Sequence, residues 1–258
     1  MARDGASVSF QAVPGIPLIQ TGDDLAAVFA EALEAADLAP RAGDILVVAQ
    51  KVVSKAEDRL VPLAEVSVTD EARRLAQDCD KDPRLVTLIL AESQAVLRTR
   101  PGLIIIRHRL GLVLANAGID QSNVQQQDGG EAALLLPEDP DASCRRLRDA
   151  LAARYGCRLG VIISDSIGRA WRLGNLGQAI GVAGPAPVRD LRGQPDLYGR
   201  ALEVTETGFA DEIAAAAGLV MGQADEGTPL VLARGLTWDE SEAGAVASIR
   251  PLELDLFQ

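Results

Sequence analysis

The chain has a single histidine, His108, and three cysteines, Cys79, Cys144 and Cys157, among 258 residues. An odd number of cysteines without C-x-x-C spacing reads as thiols in a reducing compartment, not as a disulfide frame. One histidine and scattered thiols cannot assemble the usual zinc ligand sets. A Ser-His-Asp arrangement would depend on His108, where flanking Arg107 and Arg109 oppose the imidazolium such a base becomes. Lysine is nearly as scarce, with Lys51, Lys55 and Lys81 the only three among 25 basic residues. None has the glycines of G-x-x-x-x-G-K-[ST], and no G-x-G-x-x-G follows a strand, so the Walker loop and the dinucleotide fingerprint are absent. No apolar run approaches the roughly 18–20 residues of a membrane span. The first residues, MARDG, lead into an alternating segment and not into an apolar signal core, so a cytoplasmic protein is expected. Positive charge is also in deficit: 25 basic against 37 acidic residues leave a net −12. That balance argues against nucleic acid or an anionic membrane as partner.

What is present is globular in kind. Hydrophobic residues make up 48% and charged residues 24%, and the length suits one large domain or two small ones. Residues 6–13 alternate like an edge strand. Asp23 and Asp24 open a helix whose stripe is Leu25, Val28, Phe29 and Leu33. Residues 45–53 read as a buried strand interrupted by Gln50 and Lys51. Residues 69–79 and 83–92 have helical period, and three short strands follow at 94–99, 102–107 and 110–117. The polar stretch 121–130 reads as a loop. A strand at 132–136 precedes a helix capped by Asp139 with Pro140 at its first position. Residues 158–163 form a strand running into Ser164-Asp165-Ser166. A small-residue helix at 210–221 and a strand at 229–233 close the pattern. Strands and helices do not alternate regularly, which favours α+β over a doubly wound sheet.

Four places can carry chemistry. Two apolar strands each run into an aspartate, Asp120 and Asp165, with Ser122, Asn123 and Ser166 beside them. Such hard oxygen donors suit Mg²⁺ or Mn²⁺; each aspartate alone reads equally as a turn or cap. Lys55 follows an apolar strand on one face with Lys51 and Val53, placed as a phosphate ligand or as an edge-strand charge. The segment SDSIGRAWRLGNLG offers Arg169, Trp171 and Arg172, with Arg189, Arg192 and Arg200 further on, as an anion clamp or as ordinary surface ion pairs. The loop MGQADEGT places glycines around polar groups that suit a nucleotide or a plain connection. Together these features describe a metal–phosphate enzyme outside the standard nucleotide-binding folds.

The segments PGIPLI, GDILVVAQKVVSKAE, HRLGLVLANAGIDQSNV, LLLPEDPDAS, GVIISDSIGRAWR, AIGVAG and DLRGQPDLYGR occur in order. Together they resemble the coenzyme F420-0:L-glutamate ligase (gamma-glutamyl ligase) family from about residue 12 to 240. The resemblance implies one ligase domain over 1–258, without the reductase domain that some relatives carry. It implies an α+β fold of mixed and antiparallel sheets with flanking helices, in two closely packed subdomains. The implied reaction adds L-glutamate to coenzyme F420-0 through a GTP-derived acyl phosphate, with further γ-linked glutamates as a possible extension. Implied cofactors are Mn²⁺ or Mg²⁺, as a pair of ions, with K⁺ as a helper, in a homodimer. A metal-dependent phosphohydrolase and a non-catalytic nucleotide-binding protein are the rival readings.

By the same resemblance, Asp120, Asp165, Ser166 and Gln223 are metal ligands. GTP contacts map onto Ile16, Pro17, Leu18, Ile19, Gln50, Lys55, Asn123 and the loop Met221, Gly222, Gln223, Ala224, Asp225, Glu226, Gly227 and Thr228. Lys55 and Arg172 are the residues assigned to catalysis. Ser166, Ile167 and Ala170 stand where the family often has Thr, Phe and Pro, and serine keeps the oxygen ligand. Gly177 stands where an acidic residue is usual, which removes any substrate role for that side chain.

Overall fold

The computed structural model describes residues 7–121 and 130–256. In chain order the first elements are β1 (Ser9–Ala12), α1 (Leu25–Ala35), β2 (Ile45–Ala49), α2 (Gln50–Ala56) and β3 (Leu60–Pro62). Next come α3 (Asp70–Cys79), α4 (Pro83–Ala91), β4 (Ser93–Arg100), β5 (Leu103–His108), β6 (Val113–Ala115) and β7 (Ala132–Leu134). The remainder are α5 (Pro140–Tyr155), β8 (Gly160–Gly168), β9 (Asn175–Pro185), β10 (Arg189–Asp190), β11 (Glu206–Thr207), α6 (Phe209–Met221), β12 (Leu230–Arg234) and β13 (Glu240–Ser241). Helix starts follow local chemistry. Asp24, Thr69, Asp82 and Asp139 each accept a backbone N–H of the first turn, and Pro83 and Pro140 sit at helix starts where no amide partner is needed.

The fold is α+β. A six-stranded sheet has the order β1-β12-β2-β8-β9-β13, and only the β2–β8 pair is parallel. Strand alternation divides the core between the two faces of this sheet. Leu46, Val48, Val161 and Ile163 face α1 and α5, while Ile45, Val47 and Ile162 face α6 and Trp238. Helices α3 and α4 pack on the three-stranded antiparallel sheet β4-β5-β6, and their buried residues Ala76, Val86 and Ile89 share one hydrophobic cluster with Phe29 and Leu46. The smaller unit is thus closely packed against the larger one. No helix of the described residues is long and apolar enough to cross a membrane.

Three sequence expectations change at the sheet edge. The strand expected over 45–53 ends at Ala49, and Gln50 begins α2. Burial there falls on Gln50, Val53 and Ser54, a spacing of three and four, and Ser54 Oγ donates to Gln50 Oε1 at 2.8 Å. Tertiary packing overrides the strand preference of Val52-Val53. The strand expected to stop at 163 continues to Gly168, so Asp165 and Ser166 lie inside β8 opposite Gln178 and Gly177. A register shift between Ile163 and Ser164 re-aims the side chains that follow. The strand expected over 110–117 is only Val113–Ala115; a 3-10 turn at Asn116–Gly118 then leads to Asp120, which bridges Leu134.

A candidate active-site cleft

Parallel β2 and β8 lie side by side, so their C-terminal ends share one sheet edge, with Ala49 opposite Ser164. β12 runs antiparallel to both its neighbours, so its N-terminal approach, Thr228-Pro229, enters from that edge, and the Ala49 N–H donates to Pro229 O at 2.8 Å. The segment after β1 and the end of α6 arrive there too. These converging ends enclose a cleft of about 650 Å³. Ligands of open α/β sheets collect at such carboxyl ends for the same geometric reason.

The carboxylates are held from the backbone. Asp120 N–H donates to Leu134 O at 3.0 Å, and Leu134 N–H donates back to Asp120 O at 2.8 Å. The Asp120 carboxylate pairs with Lys51 Nζ at 2.6 Å. Asp165 Oδ1 accepts the Ser166 N–H at 2.8 Å. Burial pushes the Asp165 carboxyl up to about 6; the Ser166 amide opposes the shift and the negative Asp120 adds to it. A carboxyl pushed up by burial and by a second carboxylate in the same cleft leaves a demand for positive charge. Ser166 Oγ donates to Gln223 Oε1, which ties β8 to the loop after α6. Lys55 lies one helical turn beyond Lys51, and its ammonium is pushed down by burial and by Lys51 repulsion.

The loop after α6 has its own charge. Glu226 Oε2 accepts the Ala224 N–H at 2.8 Å, and backbone amides, Ala224 first, hold its carboxyl below the usual range. The carboxylate lies against Gly222, where a Cβ would come within 2.1 Å of it. The Glu226 side chain can swing away, but Gly222 has a φ of +78°, so the backbone conformation calls for glycine there.

The cleft brings together most residues singled out by sequence. Ile16, Pro17, Leu18, Ile19, Gln50, Lys55, Asp120, Asp165, Ser166 and the whole run Met221–Thr228 line it. Asn123 lies outside the described residues. Arg172 is exposed on the turn between β8 and β9 and does not line the cleft. Arg189 stacks on Phe209 with its guanidinium 3.5 Å from the ring centre, and Arg192 pairs with Asp190 and Glu206. These two arginines hold β10 and β11 instead of clamping an anion at the cleft.

Sequence reasoning gave no site role to Lys51, Ser164, Asn175, Gly177 and Gly218, which also line the cleft. The i, i+4 spacing of Lys51 and Lys55 is the signal that would have selected Lys51 once α2 is known to be a helix.

Fold and cleft define an α+β protein with paired carboxylates, two lysines and a glycine-bounded loop at the edge of one mixed sheet. Its sequence matches the F420-0:Gamma-glutamyl ligase family over residues 15–235, and the chain belongs to that family. It is 46% identical over 97% of its length to the coenzyme F420:L-glutamate ligase of Methanothermobacter thermautotrophicus, covering 99% of that protein. The enzyme of the same name from Methanopyrus kandleri is 43% identical, with 98% of each chain covered. That of Archaeoglobus fulgidus is 44% identical over 87% of this chain and 86% of its own.

Proposed function

We propose that the protein ligates L-glutamate to coenzyme F420-0 at the expense of GTP. The observation that carries this reading is the convergence of Asp120, Asp165, Ser166, Gln223, Lys51 and Lys55 in one cleft of a chain so similar to named F420:L-glutamate ligases. In the proposed sequence, a carboxylate oxygen of F420-0 attacks the γ-phosphorus of GTP, the bond to GDP breaks, and an acyl phosphate forms. The α-amine of glutamate, having lost its proton, attacks the acyl carbon; the amide forms and phosphate leaves. No protein nucleophile is required, so the protein's work is positioning and charge neutralisation.

The donor set fits Mn²⁺ or Mg²⁺. Asp120, Asp165, Ser166 and Gln223 present hard oxygens, and these ions take such ligands while retaining water and substrate phosphates. No group of three or more His, Cys, Asp or Glu side chains suited to a metal occurs among the described residues. The metal supplies neutralisation of the phosphate charge. Around it, Lys55 contributes a point charge toward the phosphates, and the loops Ile16–Ile19 and Met221–Thr228 wrap the nucleotide, with Asn123 as a further contact. Arg172 serves the anionic acceptor from the rim. K⁺ completes the ion requirement. The reading includes a cytoplasmic homodimer.

The test is incubation with F420-0, L-glutamate, GTP and Mn²⁺, followed by mass spectrometry. A product heavier by one or more glutamate residues, together with GDP and phosphate, is expected. Phosphate release indifferent to F420-0 and glutamate would mean a phosphohydrolase instead. GTP binding with no product under any metal would mean a non-catalytic binder.

A further inference from the structure

Asp120 and Lys51 hold each other unequally. The Asp120 backbone is fixed on both sides by the Leu134 bridge. The Leu134 segment is in turn braced by Arg59, whose O accepts the Leu135 N–H at 3.0 Å and whose Nε donates to Leu136 O at 2.8 Å. Arg59 Nη2 is itself fixed on Glu92 at 3.0 Å. Lys51 reaches the same carboxylate on a flexible four-carbon stem from the first turn of α2. Both side chains are 28% exposed at the cleft wall, so neither is locked in the core. If another cation takes this carboxylate, the partner that moves is Lys51. Its stem keeps the ammonium in the cleft, one turn from Lys55 and on the same face of α2.

We propose that Lys51 is the resident counter-ion of this site: its ammonium neutralises Asp120 until a divalent cation takes the carboxylate, and is then delivered to the phosphate that accompanies the cation. This rests on the assignment of Asp120 as a metal ligand. Lys51 thereby does two jobs of opposite sign. It competes with the metal in the nucleotide-free protein, and it binds the nucleotide phosphate together with Lys55 in the loaded one. The exchange breaks one ion pair and makes another, so the charge removed from Asp120 by Lys51 is not left unpaired in the cleft.

The test separates those jobs. Mn²⁺ alone is titrated into the whole protein, with free Mn²⁺ read by electron paramagnetic resonance, and the KM for GTP is measured at saturating Mn²⁺. Lys51→Met keeps the length of the stem and removes the charge. It is expected to tighten Mn²⁺ binding about fivefold while raising the KM for GTP about tenfold. Lys51→Arg, which keeps the charge, is expected to stay within about twofold of the unaltered protein in Mn²⁺ affinity. A residue that merely shapes the site would weaken both ligands together. Unchanged or weaker Mn²⁺ binding by Lys51→Met, with an unaltered circular dichroism spectrum, overturns the proposal. So does a Lys51→Met protein that does not fold, because a counter-ion at the cleft wall is dispensable to the fold. Asp120→Asn in parallel tests the underlying assignment. If it binds Mn²⁺ as the unaltered protein does, the metal assignment fails; if it loses Mn²⁺ while Lys51→Met shows no tightening, only the counter-ion role fails.

Discussion

Gly177 of β9 lies so close to Ala214 of α6 that a Cβ on the glycine would stand 2.3 Å from the Ala214 carbonyl oxygen. The obstacle is backbone, with the carbonyl carbon at 2.8 Å, so it cannot rotate aside. Gly177 is also the β-partner of Ser166, and seven residues beyond Ala214 the helix ends in the loop that brings Gln223 to Ser166. The close approach therefore sets where α6 delivers its loop. Gly177→Ala is expected to cost about 1–3 kcal/mol by urea unfolding, the usual scale of overpacking. It is also expected to weaken Mn²⁺ binding by drawing Gln223 off Ser166. Gly177→Asp is expected to be worse than alanine, because the site has no room for the larger side chain. An aspartate variant as stable as the unaltered protein would contradict the packing argument.

Asp165 combines partial burial with a neighbouring carboxylate, and both raise the cost of its charge. Carboxyls perturbed by burial and a like charge in a cleft cluster at functional sites. Asp165→Asn keeps the shape and removes the charge. The expected result is a folded protein, at least as stable at pH 7.5 by thermal melting, with no measurable glutamate-extended product and Mn²⁺ binding weakened at least about tenfold. Undiminished turnover in this variant would remove Asp165 from the metal site.

The elements that were legible in the sequence are those with local signals. Asp24, Asp139-Pro140 and the apolar run at 229–233 announce α1, α5 and β12 from neighbouring residues alone. Asp120 and Asp165 stood out as aspartates after apolar runs, and both line the cleft. Less legible was everything fixed by distant partners. The Val-rich 51–55 segment has strand propensity, yet the β2 ladder ends at Ala49 opposite Ser164 and the chain turns into α2. That change takes Lys51 out of the strand and into the first turn of α2, where it meets Asp120 from 69 residues away. The arginines misled for the opposite reason. Their clustering in sequence suggested a clamp, while Arg189 and Arg192 are occupied by Phe209, Asp190 and Glu206, contacts that composition cannot reveal.

Glu92 provides a pH-dependent test of the brace behind Asp120. Its carboxylate meets Arg59 Nη2 at 3.0 Å and Arg109 Nε at 2.9 Å. His108 Nδ1 accepts the Leu110 N–H, and His108 Nε2 stands 3.2 Å from Glu92 Oε2. Burial works to raise the Glu92 carboxyl, but His108 and the two guanidinium groups outweigh it and hold it at about 2, below the ordinary 4.5. The unfolded chain takes up the proton near 4.5, so the stabilisation is complete above that pH and is lost as the pH falls from there through about 2. Glu92→Gln is expected to lose about 3 kcal/mol at pH 7, the scale for breaking a buried charge pair. The gap to the unaltered protein should close steadily in urea titrations at pH 4 and 3. A gap independent of pH would mean that shape, not charge, is what Glu92 contributes.

Arg172 tests whether, on the proposed function, nucleotide and acceptor are handled by different residues. It sits on the turn joining β8 to β9, past the Gly168–Asn175 pair, so it belongs to the same hairpin as Asp165 and Ser166 but lies beyond the cleft lining. Arg169, three residues earlier, is tied back to Gly174 O at 3.0 Å, which fixes the turn while Arg172 stays exposed. On the proposed function, an arginine outside the lining serves the anionic acceptor and not the nucleotide phosphates. Arg172→Ala is therefore expected to leave Mn²⁺ affinity and the KM for GTP within about twofold, and to raise the KM for F420-0 about tenfold, the loss of one charge-assisted contact. Lys55→Ala should show the reverse, with the GTP constant rising and that for F420-0 little altered. Steady-state kinetics with each substrate varied in turn distinguishes the two patterns. If Arg172→Ala instead lowers kcat with both KM values unchanged, the arginine acts on the reacting groups themselves, and the hairpin must close over the cleft during turnover.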